Sequence, residues 1–209
     1  MNRYLLIVIG FSAMILAGCQ SRPSSSAPPE AVIDKTTADA ALSLGTALNH
    51  YAADHDGKYL EGKSSTEIFQ KLIDGNYITD PAVLYVDLPG KVKAATKTLQ
   101  PENVCWDVTS NVDRNSSDML PVVFLTGYQI NYSAGAKSMA LPEPSRSWSD
   151  WWSGRMPAPR TAIAVAYKGN FKALLKVDSD GSVSNFIPAN FDPRHRVYHQ
   201  LTPDGLLSP

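Results

Sequence analysis

Between Ala38 and Pro81 the chain carries two helical patterns joined by Asp56-Gly57-Lys58-Tyr59, and any fold it adopts must bury the apolar side of both. In the first, Ala41, Leu42, Gly45, Leu48, Tyr51 and Ala52 recur at helical spacing, while Asp39, Ser43, Asn49 and Asp54 fall largely elsewhere. Asp54-His55-Asp56-Gly57 closes it, with Gly57 suited to the left-handed residue beyond a helix end. In the second, Ser64 and Glu67 have capping-box spacing, Ile68, Phe69, Leu72 and Ile73 form the apolar face, and Gly75 is the stop. Thr79-Asp80-Pro81 then turns the chain.

Beyond Pro81 the apolar runs are short and rich in β-formers. Val104 to Thr109, Pro121 to Thr126, Tyr128 to Tyr132, Ala162 to Tyr167, Phe171 to Val177 and Val183 to Ile187 read as strands, divided by Gly, Pro, Asn and Ser. Lys168-Gly169-Asn170 and Asp178-Ser179-Asp180-Gly181 have hairpin turn chemistry. The expected fold is α+β: an N-terminal helix and a second short helix laid on a small antiparallel sheet, burying a stripe of Leu42, Leu48 and Tyr51.

Ahead of the helices, Arg3 gives a positive start, Tyr4 to Ala17 is almost unbroken apolar sequence, and Leu16-Ala17-Gly18-Cys19 comes next. This is a secretory pattern, and the apolar run is shorter than the roughly 20 residues a spanning helix needs. Its last four residues resemble the lipobox of bacterial lipoproteins. The resemblance implies a signal peptide over residues 1–18, cleavage before Cys19, and acylation of both the Cys19 thiol and its new amino terminus. Acyl chains buried together hold a protein on a bilayer, each methylene contributing about 0.8 kcal/mol. Gln20 stands where an aspartate would imply inner-membrane retention in the enterobacterial scheme, so the outer membrane or the periplasmic face is favoured. Residues 19–30 are the lipidated cysteine and a Ser/Pro-rich linker, and residues 31–209 the folded domain.

Charge and cysteine content narrow the function. With 19 Lys and Arg against 20 Asp and Glu, the chain has no basic footprint of the kind nucleic acid requires. Only two cysteines exist, and lipidation of Cys19 leaves Cys105 as a thiol in a strand, expected to be a small buried residue.

The run Leu44 to Tyr59 also carries a family resemblance. Leu44, Ala47, Leu48, Tyr51, Asp54, Gly57 and Tyr59 match the helix-and-turn block of the major pseudopilins of type II secretion and of pilin-like proteins from Verrucomicrobia and Planctomycetes. Ile78-Thr79-Asp80-Pro81 resembles their next block. Ile163 to Tyr167 through Asp180 to Val183 resembles their closing strands. The resemblance implies a pilin-like head and a non-catalytic interaction role linked to type II secretion or pilus-like machinery. Gly10-Phe11-Ser12-Ala13-Met14-Ile15 lacks the glutamate through which such proteins enter a filament, and the lipobox stands in place of the assembly segment.

The remaining constellations point to no chemistry. Trp148, Trp151 and Trp152 lie among prolines between two strands, where they could stack on a glycan or partner surface or cover a sheet edge. They are the candidate ligand-binding residues. His50 and Asp54 could share a helix face, but His55 does not share it and no third metal ligand is specified, while His195 and His199 sit in an extended segment flanked by arginines, so both groups read as solvated surface. Asp178, Asp180 and Gly181 lack the further acidic positions of a calcium loop and read as a turn. With no nucleophile elbow, phosphate loop or dinucleotide fingerprint, the expectation is a protein that is not an enzyme and takes no cofactor or metal.

Overall fold

The computed structural model describes residues 33–88, 90–132, 136–140, 161–184, 186 and 197–198. The sequence around Cys19, the stretch holding Trp148, Trp151 and Trp152, and His195 and His199 lie outside them.

The first helix, α1 (Lys35–Asp54), begins three residues earlier than its apolar period, because Asp34 caps it. The Asp34 carboxylate accepts the Thr37 backbone N–H at 3.0 Å, and that bond holds its pKa below the usual carboxylate range. α1 ends in a Schellman-type closure, with Gly57 N–H donating to Ala52 O at 2.7 Å. His55 to Lys58 then makes a type I′ turn, both central residues being left-handed (Asp56 φ 55°, Gly57 φ 79°) and Lys58 N–H donating to His55 O.

The second helix, α2 (Ser65–Asp74), is capped by Ser64, whose hydroxyl accepts Glu67 N–H at 3.2 Å. The return arm of the expected capping box reaches one residue further out, from Lys63 N–H to the Glu67 carboxylate at 2.9 Å. Gly75 does stop α2, but with an ordinary φ of −79°. Asn76 takes the left-handed position at φ 60°. Gly75 is a glycine for space, since a Cβ there would stand 2.9 Å from the Tyr77 ring.

The described residues then form eight strands: β1 (Trp106–Thr109), β2 (Pro121–Leu125), β3 (Tyr128–Gln129), β4 (Ser138–Ala140), β5 (Ala162–Tyr167), β6 (Phe171–Lys176), β7 (Ser182–Val183) and β8 (Val197–Tyr198). They make two sheets, a five-stranded one ordered β6-β5-β2-β1-β8 and a three-stranded one ordered β3-β4-β7, with every pairing antiparallel. The α+β class expected from the sequence is the class observed.

α1 lies across β5, β6 and β2, and α2 packs beside it against β1. The contact is close because both sides are small. Gly45 faces Ala166, and a Cβ on Gly45 would stand 3.0 Å from that of Ala166. A bulge in β2 at Val122 turns its side chain toward the same spot. The opposite face of this sheet carries Phe124 and its neighbour Val165, with the Phe186 ring edge-on to Phe124 at 5.3 Å. Coverage on both faces is why β5 is buried from Ile163 to Tyr167 instead of alternating.

Three expectations change. The buried stripe of α1 is Ala38, Ala41, Leu44, Gly45, Ala47, Leu48 and Ala52, so Leu42 and Tyr51 sit at its margins, half-buried. The strands expected at Pro121 to Thr126 and Tyr128 to Tyr132 do not lie in one sheet. Gly127, at φ 97°, lets the chain leave the large sheet after β2 and enter the small one as β3. The turn at Asp178 to Gly181 is tight, with Gly181 at φ 78°, but it passes from β6 in one sheet to β7 in the other and is no hairpin. Lys168-Gly169-Asn170 is the hairpin loop expected, joining β5 to β6 with Asn170 left-handed at φ 58°.

Among the described residues no helix is long and apolar enough to cross a membrane.

Candidate functional site

Where α1 ends, its outward side chains meet three loops. Tyr51 and His55 are one helical turn apart and stack, ring centroids 3.8 Å apart and planes within 10°. The His55 Nδ1 is 2.8 Å from Tyr51 O, which holds the imidazole flat on the phenol. Tyr77, just past α2, packs edge-on to Tyr51 at 5.4 Å and donates its hydroxyl to Asp54 at 3.0 Å.

Asn49 is the polar hub behind this aromatic cluster. Its amide donates to Lys168 O at 2.9 Å and to the Asn170 side chain at 2.6 Å, while its oxygen accepts the Tyr59 hydroxyl. One side chain therefore ties α1 to the loop after it and to the β5–β6 hairpin. The hairpin is held from its other side by Lys168, whose ammonium lies 3.1 Å from Asp118 and donates to Arg114 O. The Arg114 side chain in turn lies over Gly57, where a Cβ would meet it at 3.0 Å.

Burial raises the phenols that this packing encloses. Tyr59 is pushed up to about 12 by desolvation and then by the Asp118 charge, and Tyr167, stacked on Phe171, is pushed up to about 12 by desolvation alone. Unfolded tyrosine ionises near pH 10, so the folded state holds these protons more tightly than the unfolded chain does. Their contribution to stability is complete below about pH 10 and is lost as pH rises toward 12. An ultraviolet titration is expected to show Tyr59 and Tyr167 among the late-ionising tyrosines, and urea midpoints to fall over that window. Tyr59→Phe should flatten part of the fall.

In front of the aromatic cluster opens a cleft of about 900 Å³. It is lined by Tyr51, His55, Tyr59 and Leu60 and by the β1–β2 loop at Asn111 and Val112. That loop is rigidly built. Val112 is buried, Asn111 is left-handed at φ 55°, and the Asp113 carboxylate accepts Asn115 N–H at 2.9 Å and the Ser116 hydroxyl at 3.1 Å. Lys58, Glu61 and Lys71 stand at the rim. A shallower depression of about 370 Å³ lies further along α1, over Leu42, Thr46, His50 and Tyr77.

The histidine and aspartate candidates separate. His50 is exposed on α1, Asp54 is engaged by Tyr77, and His55 is stacked on Tyr51. Among the described residues no three His, Cys, Asp or Glu side chains converge as a metal site would require. Asp180 is engaged within its turn, accepting Ser182 N–H at 2.9 Å and lying 3.8 Å from Lys137. Cys105 is fully buried, and its sulfur lies 3.2 Å from Val86 N and 3.4 Å from Val86 O, so it stitches a loop to β1. Lys58, Leu60 and Asn111 are site residues that no sequence motif marks. The i, i+4 spacing of Tyr51 and His55 is the one local signal that an aromatic platform forms at the helix end.

No family model, curated protein or solved structure matches this chain.

Proposed function

We propose that this chain is a non-catalytic, lipid-anchored protein of the bacterial cell envelope, its domain a pilin-like head that engages a partner of type II secretion or pilus-like machinery. The observation that carries the reading is Leu16-Ala17-Gly18-Cys19 directly after an apolar run too short to span a bilayer. The long α1 laid across an antiparallel sheet supports the pilin-like part, together with the motif residues from Leu44 to Tyr59. The chain sits on the outer membrane or the periplasmic face, held through acyl chains on Cys19.

Intact-mass analysis of the mature protein tests the anchor. The expected mass corresponds to a chain that begins at Cys19 and carries acyl groups, and Cys19→Ser should shift the protein out of the membrane fraction. A mature chain that keeps residues 1–18, or one without acyl mass, would sink the reading. The partner is tested by site-specific photocrosslinking in cells from exposed His50 and from Lys172 on β6. A defined adduct with a secretion or pilus component is expected, and its absence from both positions counts against the machinery link.

A second reading is a surface lipoprotein that binds glycan through Trp148, Trp151 and Trp152. Three indoles within five residues of a proline-bearing stretch favour it.

A further inference from the structure

We propose that the cleft between the end of α1 and the β1–β2 loop is a saccharide-binding site, with the stacked Tyr51–His55 pair as its platform. The proposal uses none of the three tryptophans and does not depend on the lipid anchor.

Shape and chemistry both argue for a sugar. The Tyr51 and His55 rings lie within 10° of parallel and line the cleft, with His55 exposed and Leu60 beside them. Stacked at 3.8 Å, the rings cover each other's inner faces and leave the outer face of exposed His55, which beside an aliphatic side chain suits the C–H face of a pyranose. The rim supplies the opposite need. The Lys58 ammonium donates and the Glu61 carboxylate accepts, the two roles that sugar hydroxyls require.

Charge argues against an ionic ligand. Lys58 and Lys71 on the lining are matched by Glu61 and Asp113, and Lys71 is drawn further off by Glu67 at 2.8 Å and by Glu61 O at 2.8 Å. A strongly acidic or basic ligand would meet as much repulsion as attraction. A neutral saccharide meets no such repulsion.

The walls are held before any ligand arrives. His55 is fixed by its stack and by Tyr51 O, Tyr59 by Asn49, and the Asn111–Asp113 loop by its own turn bonds. Sites fixed in this way bind without the ordering cost that a mobile loop would add.

The test titrates the purified protein, in detergent micelles, with N-acetylglucosamine oligomers and with cello-oligosaccharides, read by calorimetry. Saturable binding to at least one series is expected. Lys58→Ala and His55→Ala should each weaken it about tenfold, a loss of 1.4 kcal/mol, with unchanged near-ultraviolet circular dichroism. Replacing Trp148, Trp151 and Trp152 together with alanine should leave it unchanged, as should Cys19→Ser. Where His55→Ala fails to fold, Lys58→Ala decides the matter, because its side chain is exposed at the rim. Absence of saturable binding to both series overturns the proposal. So does binding that survives Lys58→Ala and disappears with the three tryptophans, an outcome that assigns the sugar to that stretch instead. Failure of the anchor test leaves this titration unaffected, so the two ideas fail separately.

Discussion

Trp106→Ala is expected to lower the stability of the domain by about 3–5 kcal/mol, measured as a shift in the urea midpoint with the slope unchanged. Trp106 is fully buried at the start of β1, with Leu125 of β2 as its Cα partner. Its indole N–H donates to Val83 O at 3.2 Å, while the Cys105 N–H next to it donates to Leu84 O at 3.0 Å. The ring therefore does two things. It fills space between the sheet and the helices, and it pins the 3-10 turn at Pro81–Leu84 against β1. Alanine leaves a cavity and strips Val83 O of its indole donor, and an orphaned polar group of that kind costs about 1–3 kcal/mol. The sum falls toward the upper end of the range. For a domain of this size each kcal/mol moves Tm by roughly 2–4 °C, so the melting point should fall by roughly 10 °C or more. Trp106→Phe keeps most of the volume and loses only the donor, and should cost about 1–3 kcal/mol. A loss under about 1 kcal/mol for the alanine variant would mean that the pocket collapses around the missing ring.

Gly45→Leu is expected to cost about 1–3 kcal/mol or more by the opposite mechanism, overpacking. The first carbon added at Gly45 already stands 3.0 Å from the Ala166 Cβ and 3.6 Å from a Val122 methyl, and both residues are fully buried. Three further carbons have nowhere to go unless α1 lifts from the sheet. That displacement would loosen Leu44 and Leu48 on either side and strain the Asn49 bonds to the β5–β6 hairpin. Gly45→Ala is the informative control. It gains about 1 kcal/mol of helix propensity and meets only the 3.0 Å contact, so the two effects should nearly cancel. If leucine were tolerated as well as alanine, the close approach of helix and sheet would not hold in solution. Thermal melts of the three proteins decide this.

Local physics is readable in the chain. The period of α1 and α2, the Ser64 cap, the left-handed Gly57 and the Lys168-Gly169-Asn170 loop are each settled by residues within a few positions of one another. The four strands with strong β composition, β1, β2, β5 and β6, are legible to within two residues of their ends for the same reason. Two-residue β3 and β7 fall at the starts of runs that read as longer strands, Tyr128 to Tyr132 and Val183 to Ile187, whereas β8 carries too little pattern to define. β4, Ser138–Ala140, is short and carries no β-branched or aromatic residue, and it exists because its backbone fills the place between β3 and β7.

The angular position of the buried stripe on α1 is a different matter. Period gives a face only up to rotation, and large residues such as Leu42 and Tyr51 weigh more in such a reading than Ala38, Ala41, Gly45 and Ala47. Ala166 and the bulged Val122 require small residues opposite them, so the helix turns its alanines and Gly45 inward and leaves Leu42 and Tyr51 at the edge. That rotation is what frees Tyr51 to stack with His55 and line the cleft. From sequence alone come the helices and the principal strands, because each depends on neighbours along the chain. Which face α1 buries, where Gly127 sends the chain between sheets, and the meeting of His55 with Asn111 across a cleft were decided by tertiary structure, because each depends on residues brought together from far apart in sequence.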